Sequence, residues 1–386
     1  MRAFFRQFAL GALVMSLTLL VMIMLPHDTY TRWQAVKIEA FARLGWIYER
    51  IHYDDTPIDI AFIGTSHTMM GINTQSFEDG LAAAGVRSDD KRCLQVVNLA
   101  VPSYGRDLHW IIGRELLKNR HIKTLVLEVF ENETRKAHPL FVHVADTDDI
   151  LEAPILINQN YLHNLVRLPY RQLALAIKSL SPESFGLKTH FDPADYDGSN
   201  VDNTRIINVD GAALSPVRDH VMDFHQLEAT SKANLAAKNL HMLGDWGQAY
   251  EYAVPNHYLT ALLDLAKEQG VNVVFLYLPQ YGMPPRPVDE HPYQGRGDWI
   301  YVNDLLQHPD YWFDEAHLNA QGAAEVTRRV QSEFVSRWQS SEALRDQEKI
   351  TLANSPTACT DHHYPPRATL KPFHPMQKNA ETNEDP

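Results

Sequence analysis

The sequence predicts an α/β protein: a three-layer domain with a mainly parallel sheet, an N-terminal transmembrane helix and an inserted subdomain. Three observations predict this architecture. Compact apolar runs alternate with amphipathic helical patterns, which is typical of parallel strands that are buried on both faces. The alternation stops over residues 134–255 and then returns, and the chain begins with a long uncharged segment.

The N-terminal segment, residues 1–27, contains an uncharged apolar stretch at residues 8–25. A helix of that length spans roughly 27 Å, which is close to the thickness of the hydrocarbon core of a bilayer. Because Arg2 and Arg6 precede the stretch, we expect a single-pass signal-anchor in the inner membrane. Its N-terminus is then cytoplasmic and the globular domain periplasmic, or otherwise extracytoplasmic. A cleaved signal peptide is the alternative, although no small-residue cleavage site follows.

Residues 28–57 are typical of a juxtamembrane helix followed by a polar linker, and the α/β domain is expected at residues 58–339. Short apolar runs predict four strands, and the amphipathic patterns between them predict helices. The expected strands are residues 57–64, 94–100, 123–130 and 271–279. The expected helices are residues 74–86, 105–119, 256–270 and 320–338.

Residues 134–255 interrupt the alternation and are acidic and irregular, which predicts an insertion above the sheet. The insertion contains two candidate helices, at residues 155–180 and 227–242. From residue 340 to residue 386, the composition turns to Ser, Pro, Asn, Glu and Gln, with few large apolar residues. Such a segment buries too little apolar surface to offset the entropy of ordering, so we expect a disordered tail.

The charge and the cysteine content argue against two classes of function. The net charge is −13 and the chain has no Lys/Arg run, so nucleic acid is not an expected partner. The two cysteines, Cys93 and Cys359, are far apart and form no CxxC pattern. They therefore indicate neither a zinc site nor a disulfide framework, and we expect no cofactor.

Polar residues follow the ends of the predicted strands. They are Ser66 and His67 after the first strand, Gly105 after the second, Asn132 after the third, and Asp314 with His317 before the last helix. The carboxyl ends of parallel strands meet at one edge of a sheet, and ligands bind beyond that edge. We therefore expect these segments to lie close together.

The residue types at this edge match the requirements of acyl transfer. That chemistry needs a nucleophile, a base, a group that orients the base, and donors for the oxyanion. Ser66 is the expected nucleophile, His317 the base, and Asp314 the residue that orients the base. The backbone N–H groups of Ser66 and Gly105, with the side-chain amide of Asn132, are the expected oxyanion donors.

Each of these residues also has a purely structural interpretation. Ser66 and Asp314 are both suitable helix N-caps, and backbone groups can satisfy the imidazole of His317. Asn132 suits a turn, and Gly105 can simply open the helix that follows it.

His67 and Tyr281 lie near the same edge and are candidates for substrate contact. The alternatives are that His67 packs or faces solvent, and that Tyr281 belongs to the core together with Trp312. The end of the third strand also carries three carboxylates, Glu128, Glu131 and Glu133. They leave open a carboxylate pair for glycoside cleavage or a metal site.

The order of a serine after the first strand and an Asp-x-x-His before the last helix resembles the SGNH (GDSL-type) hydrolase superfamily. The Gly-Asp-Ser block of that family reads Gly64-Thr65-Ser66 here, and its Asp-x-x-His block is matched at residues 314–317. Residues 64–68, "GTSHT", lack the second glycine of a G-x-S-x-G elbow, which disfavours an ordinary α/β-hydrolase.

The other two blocks are matched in part. Gly105 stands for the oxyanion glycine of the second block, and Asn132 is the only residue kept from the Gly-x-Asn-Asp of the third. The resemblance covers residues 58–133 and 256–335, and it implies a flavodoxin-like fold with Ser66 as the nucleophile.

The resemblance points to the membrane-anchored branch of the superfamily, whose members are polysaccharide O-acetylation-like or DltD-like. A DltD-like protein would help to move acyl groups from a carrier to a polymer, with the same Ser66 and His317. The resemblance implies a serine esterase or O-acyltransferase that acts on acyl or acetyl esters of a cell-envelope or secreted polysaccharide, or on an acylated small substrate. A multi-pass membrane acyltransferase is then an expected partner. Because Thr65 replaces the aspartate of the family, the alternative is a non-catalytic scaffold or binding subunit of an envelope assembly.

Overall fold

Five parallel strands form the central sheet. The computed structural model describes residues 1–36, 43–88, 91–131, 133–135, 137–192, 207–209, 212–214, 220–238 and 243–345. The sheet contains β1 (Ile60–Ile63), β2 (Val96–Asn98), β3 (Thr124–Val129), β6 (Asn272–Tyr277) and β7 (Asp298–Tyr301). A separate antiparallel pair, β4 (Ile207–Val209) and β5 (Ala212–Leu214), lies in the insertion. The order across the main sheet is β2-β1-β3-β6-β7, which is the 2-1-3-4-5 order of flavodoxin-type sheets.

Helices cover both faces of this sheet. The α-helices among the described residues are α1 (Arg2–Ile23), α2 (Thr29–Gln34), α3 (Arg43–His52), α4 (Ser66–Gly71), α5 (Thr74–Ala83), α6 (Arg106–Asn119), α7 (Phe141–Val144), α8 (Thr147–Leu151), α9 (Tyr161–Leu180), α10 (Phe224–Lys238), α11 (Gly244–Glu251), α12 (Ala253–Glu268) and α13 (Ala320–Arg345). One core lies between the sheet and α3, α6 and α12, and the second lies between the sheet and α5 and α13. The predicted α/β class with a parallel sheet is therefore confirmed.

The continuous apolar character of the strands follows from these two cores. In β1, Ile60 and Phe62 belong to the core beneath α5 and α13, whereas Ala61 and Ile63 belong to the opposite core. Successive side chains of a strand point to opposite faces, so a strand covered on both faces needs an apolar residue at every position. The four predicted strands are all present as β1, β2, β3 and β6.

Some elements differ from the sequence-based expectation. The strand β7 was not predicted, because its sequence, Asp-Trp-Ile-Tyr, is short and has a half-exposed edge. The last helix, α13, continues to Arg345, six residues into the expected tail, and residues 346–386 lie outside the described part of the chain. The insertion is also more regular than expected, since α7 to α11 lie within residues 134–255.

The described parts of residues 28–57, namely residues 28–36 and 43–57, are built into the domain and do not form a separate linker. Trp33 of α2 and Leu44 and Ile47 of α3 are all fully buried in the core that also contains α6 and α12. Amphipathic spacing shows that a helix has a buried face, but it does not show which partner buries that face. The boundary placed at residue 58 is therefore corrected to include α2 and α3.

The first helix, α1, is long and apolar enough to cross a membrane, and it is the one helix of the described residues that meets both criteria. Its apolar stretch has no residue buried against the rest of the protein. This supports a single-pass anchor, as the sequence predicts.

Leu262 tests the core between the sheet and α12. Its side chain is fully buried, so replacing it by alanine removes apolar contacts and leaves a cavity. We expect Leu262→Ala to lower the free energy of unfolding by roughly 2–5 kcal/mol, measured by denaturant titration. The exposed Thr260→Ala on the same helix is the matched control and should stay within about 0.5 kcal/mol of the parent. Equal losses for both variants would contradict the assigned core.

Candidate active site

Ser66 lies at the carboxyl end of β1, on the first residue of α4. The residue before it, Thr65, is the N-cap, and its hydroxyl accepts a hydrogen bond from the backbone N–H of His67 at 3.2 Å. Ser66 therefore does not cap the helix, and the structural interpretation of its hydroxyl is wrong. Its own N–H is one of the first-turn groups that have no acceptor within a helix.

Asp314 and His317 lie on a tight hairpin loop between the sheet and α13. Trp312 and Leu318 form an antiparallel bridge at its base, and the N–H of Phe313 donates to the carbonyl of His317 at 2.8 Å. The helix after the loop is capped by Asn319, whose side-chain oxygen accepts from the N–H of Gly322 at 2.9 Å. Asp314 is thus not the N-cap of α13, which was its alternative interpretation.

The two segments meet at the edge of the sheet, although they are 251 positions apart. Ser66 Oγ and His317 Nε2 are separated by 2.7 Å. On the other side of the ring, Nδ1 of His317 lies 2.9 Å from each carboxylate oxygen of Asp314. These distances fall within the range for a nucleophile, a base and a group that orients the base.

The protonation of the site follows from its hydrogen bonds. Burial acts to raise the pKa of Asp314, but the hydrogen bond and the electrostatic attraction from His317, with the N–H groups of Ala316 and His317, outweigh burial and hold the pKa below its usual value. An ionised Asp314 can only accept, so Nδ1 of His317 donates to it. In a neutral imidazole, Nε2 is then the acceptor of a hydrogen bond from the hydroxyl of Ser66.

Solvent and small molecules can reach this site. The side chains of His317 and Asp314 are 26% and 32% exposed, and Ser66 is half-buried. A serine that was merely hydrogen-bonded in the core would lack this access.

A buried carboxylate beneath the site fixes the turn that carries Ser66. Glu128 of β3 accepts from the N–H of Thr65 at 2.7 Å and from its hydroxyl at 2.9 Å. It also accepts from the hydroxyl of Thr68 at 2.5 Å and from the N–H of Thr68 at 3.3 Å. Four donors thus converge on one fully buried carboxylate, which satisfies N–H groups that the start of α4 leaves open.

Gly64 and Asn98 complete the support of this turn. A Cβ on residue 64 would collide with the Glu128 carboxylate and the Thr68 hydroxyl, so the close approach requires glycine. Asn98, at the end of β2, donates its amide to the carbonyl of Thr68 at 2.9 Å and accepts from the N–H of Ala100 at 3.1 Å.

The segment after β2 brings Gly105 to the same edge. Gly105 is the N-cap of α6, and a Cβ there would collide with the backbone and side chain of His138. Gly105 therefore lies at the start of α6, in agreement with its structural interpretation. Its role as an oxyanion donor stays a prediction. Ser103, two residues earlier, has a φ of +79°, an uncommon conformation for a non-glycine residue that recurs at functional sites. The third expected donor, Asn132, lies outside the described residues.

His67 and Tyr281 occupy different surroundings. His67 is only 5% exposed, its Nδ1 lies 3.3 Å from the carbonyl oxygen of Leu278, and its ring meets that of His317 edge to face at 5.9 Å. It therefore packs beside the imidazole of His317. Tyr281 is partly buried and stacks edge to face on the fully buried Trp312 at 6.0 Å, which fits core packing. A substrate contact for either residue stays a prediction.

Two of the three carboxylates near the end of β3, Glu131 and Glu133, line one small pocket, whereas Glu128 does not. Glu128 holds the Ser66 turn, Glu131 accepts from the N–H of Gln280 at 2.6 Å, and Glu133 pairs with the buried Arg106 at 2.8 Å. Among the described residues, no group of three or more His, Cys, Asp and Glu side chains could hold a metal ion. The metal alternative therefore has no support among the described residues, and the glycosidase alternative stays a hypothesis because Glu131 and Glu133 line one pocket.

The structural roles of several residues that build the site were not predicted from the sequence. These residues are Thr65, Thr68, Glu128 and Asn98, which position Ser66, and Ser103, which shapes the approach to Gly105. One signal was present, since Glu128 is a charged residue inside an otherwise apolar strand, Thr-Leu-Val-Leu-Glu-Val. A buried charge of that kind needs a partner. No sequence pattern shows that the partner is the turn after β1.

Comparisons with known proteins give no relative on which to base the function. No family model matches the chain, and no curated protein matches it. The function therefore has to be argued from the geometry of the site.

The contribution of Glu128 is testable by a near-isosteric change. Glu128→Gln keeps the shape but places an amide nitrogen, a donor, against hydroxyls and N–H groups that need an acceptor. We expect the free energy of unfolding to fall by roughly 1–3 kcal/mol in denaturant titrations. Glu228→Gln, which alters an exposed ion pair on α10, should change it by about 0–1 kcal/mol. A Glu128→Gln protein as stable as the parent would show that the carboxylate does not hold the turn.

Asp107, in the first turn of α6, gives a pH-dependent prediction. Burial raises the pKa of Asp107 to about 7, although N–H groups, among them that of His138, act to lower it. Between about pH 4 and pH 7, the folded chain keeps a proton that the unfolded chain has lost, so this group makes the free energy of unfolding fall as the pH rises.

The comparison with Asp107→Asn isolates this contribution. Burial lowers the pKa of His138 to about 4, so this group makes the free energy of unfolding rise as the pH rises. The effect is the same in both proteins and cancels in the difference between them. Denaturant titrations between pH 4 and 7 should show the parent losing stability relative to Asp107→Asn, by about 1.4 kcal/mol for each unit of the pKa difference. A pH-independent difference would contradict the buried, protonated carboxyl.

Proposed function

We propose that the protein is a membrane-anchored serine acyl-ester enzyme of the SGNH type. The single observation that carries the proposal is the hydrogen-bonded series Ser66–His317–Asp314, with 2.7 Å between Ser66 Oγ and His317 Nε2. Its members come from a strand end and a distant loop, and neither Ser66 nor Asp314 serves as the cap of a long helix.

The chemistry follows from the geometry. Ser66 Oγ attacks the carbonyl carbon of an ester while Nε2 of His317 takes the hydroxyl proton, and Asp314 stabilises the imidazolium that forms. His317 then returns the proton to the departing alcohol, which leaves an acyl group on Ser66. Water or a second hydroxyl, deprotonated by His317, takes the acyl group and restores the serine.

The oxyanion of the tetrahedral intermediate needs N–H donors. The Ser66 N–H, at the start of α4, is oriented by the same turn that presents the hydroxyl. Gly105 N–H and the Asn132 amide are the further donors that the SGNH resemblance proposes. Removing one such donor costs roughly 100–1,000-fold in kcat in enzymes where it has been tested.

The substrate class and the location are part of the proposal. A single-pass anchor holds the domain at a membrane surface, where acylated polymers of the cell envelope are concentrated, so acyl or acetyl esters of an envelope or secreted polysaccharide are the proposed substrates. The proposed location is the periplasmic face of the inner membrane, and a multi-pass membrane acyltransferase is the proposed partner. Hydrolysis and transfer use the same three residues and differ only in whether water or a sugar hydroxyl accepts the acyl group.

The proposal predicts loss of activity when the nucleophile is removed. Ser66→Ala should lower the hydrolysis of p-nitrophenyl acetate by roughly 10⁴–10⁶-fold. Asp314→Asn should lower it by roughly 10⁴-fold, because an amide does not hold His317 in the tautomer whose Nε2 accepts the proton of Ser66. A fluorophosphonate probe should label the parent protein at Ser66, as read by peptide mass spectrometry. Ser332→Ala, an exposed serine of α13, is the matched control and should keep both activity and labelling.

Two outcomes would overturn the assignment. One is turnover that survives in Ser66→Ala, and the other is a phosphonate adduct on a different serine. If the parent neither hydrolyses esters nor reacts with the probe, and Ser66→Ala still complements a deletion strain, the scaffold alternative holds.

A further inference from the structure

The helix α9 carries an apolar stripe that the protein does not cover. Its exposed apolar residues are Leu162, Val166, Tyr170, Leu173, Ile177 and Leu180, between 37% and 85% exposed. Their spacing of three and four residues places them within about 80° of the helix circumference. The opposite side of α9 is packed against the domain through Asn164, Leu168, Gln172 and Leu175. The helix thus has two faces with apolar residues, and only one of them has a partner among the described residues.

The stripe lies next to the membrane-spanning helix. The body of α9 packs against α1, and the amide of Gln172 donates to the carbonyl of Ile23, the last residue of α1, at 3.3 Å. Five residues later, the N–H of Asp28 donates to the hydroxyl of Ser179 at 2.9 Å. If α1 crosses the bilayer, α9 therefore lies where the chain leaves it.

The charges of α9 fit a lipid surface. The helix has no acidic residue, in a chain whose net charge is −13. Three of its basic residues, His163, Arg167 and Lys178, lie within an arc of about 60° directly beside the apolar stripe. Arg171 lies on the same side but donates to the backbone carbonyls of Val142 and Ala145. An apolar face bordered by Lys and Arg is typical of helices that lie in the interface of a membrane with anionic lipids.

We propose that the exposed face of α9 is embedded in the membrane–water interface beside α1, on a bilayer that contains anionic lipids. The protein is then held at two places, with α1 across the membrane and α9 along its surface. A single span alone leaves the domain free to tilt and rotate, whereas the second contact fixes its orientation relative to the bilayer. This proposal is independent of the reaction at Ser66.

Site-specific photo-crosslinking tests the proposal in the full-length protein. Benzoylphenylalanine replaces Val166 or Ile177 in protein reconstituted into vesicles of phosphatidylcholine and phosphatidylglycerol. Leu13 of α1 is the positive control, and the exposed Arg328 of α13 is the negative control. After irradiation, mass spectrometry should find lipid adducts at residues 166 and 177 with yields close to that at Leu13, and none at Arg328.

Three results would overturn the proposal. Lipid adducts at Leu13 without adducts at residues 166 and 177 would show that the stripe faces water. Adducts between these positions and a second protein chain would show that it is a protein-docking face. Absence of a lipid adduct at Leu13 would remove the spanning helix on which the argument rests.

A charge substitution gives a second readout. In the double variant Val166→Glu/Ile177→Glu, the lipid adduct of a probe at Tyr170 should be lost while the adduct at Leu13 persists. The hydrolysis of a small soluble ester should be unchanged, because the stripe belongs to neither the Ser66 turn nor the His317 loop. Retention of the Tyr170 adduct in this variant would contradict an interfacial position of α9.

Discussion

The carboxylate of Glu128 is the constraint on which the arrangement at the sheet edge depends. It is fully buried at the end of β3 and accepts from the backbone and hydroxyls of Thr65 and Thr68. A buried charge is tolerated only when hydrogen bonds replace its lost hydration, and here the donors come from the turn after β1. The neighbouring strand thus fixes the turn, and the turn fixes the direction of Ser66. Thr65 is central to this, since it both caps α4 and contacts Glu128.

A second set of ionic contacts connects α2, which follows α1, to the rest of the domain. Arg32 of α2 pairs with Asp146, at the start of α8, and Arg114 of α6 contacts Asp149 of α8 at 2.9 Å. Arg32 is almost fully buried, and this ion pair joins the segment that follows α1 to the insertion. The fully buried Trp33 joins the same segment to the core. The position of α9 beside α1 follows from the same packing.

Local patterns were sufficient to predict the main elements of the fold. Strands β1, β2, β3 and β6 appear in the sequence as apolar runs, and the helices between them appear as apolar stripes. Both patterns arise because a buried face requires apolar residues at a regular spacing. The sequence of strand β7 has no such apolar pattern, because the strand lies at the edge of the sheet and only Ile300 in it is fully buried. The regular structure of the insertion was also underestimated, since short helices such as α7 and α8 are stabilised by contacts with other elements and not by their own periodicity.

By itself, the sequence determined which residues stand at strand ends and which chemical groups they carry, including Ser66, Asp314 and His317. Those positions depend on local periodicity and on the motif spacing, which one segment can encode. Only the tertiary structure decided that Thr65 and Asn319 act as the caps, that Glu128 holds the turn, and that His317 reaches Ser66 across 251 positions. The physical reason is that such contacts are set by the order of strands in the sheet and by the packing of loops on its edge. Neither the strand order nor the packing of the loops produces a regular residue spacing in the sequence.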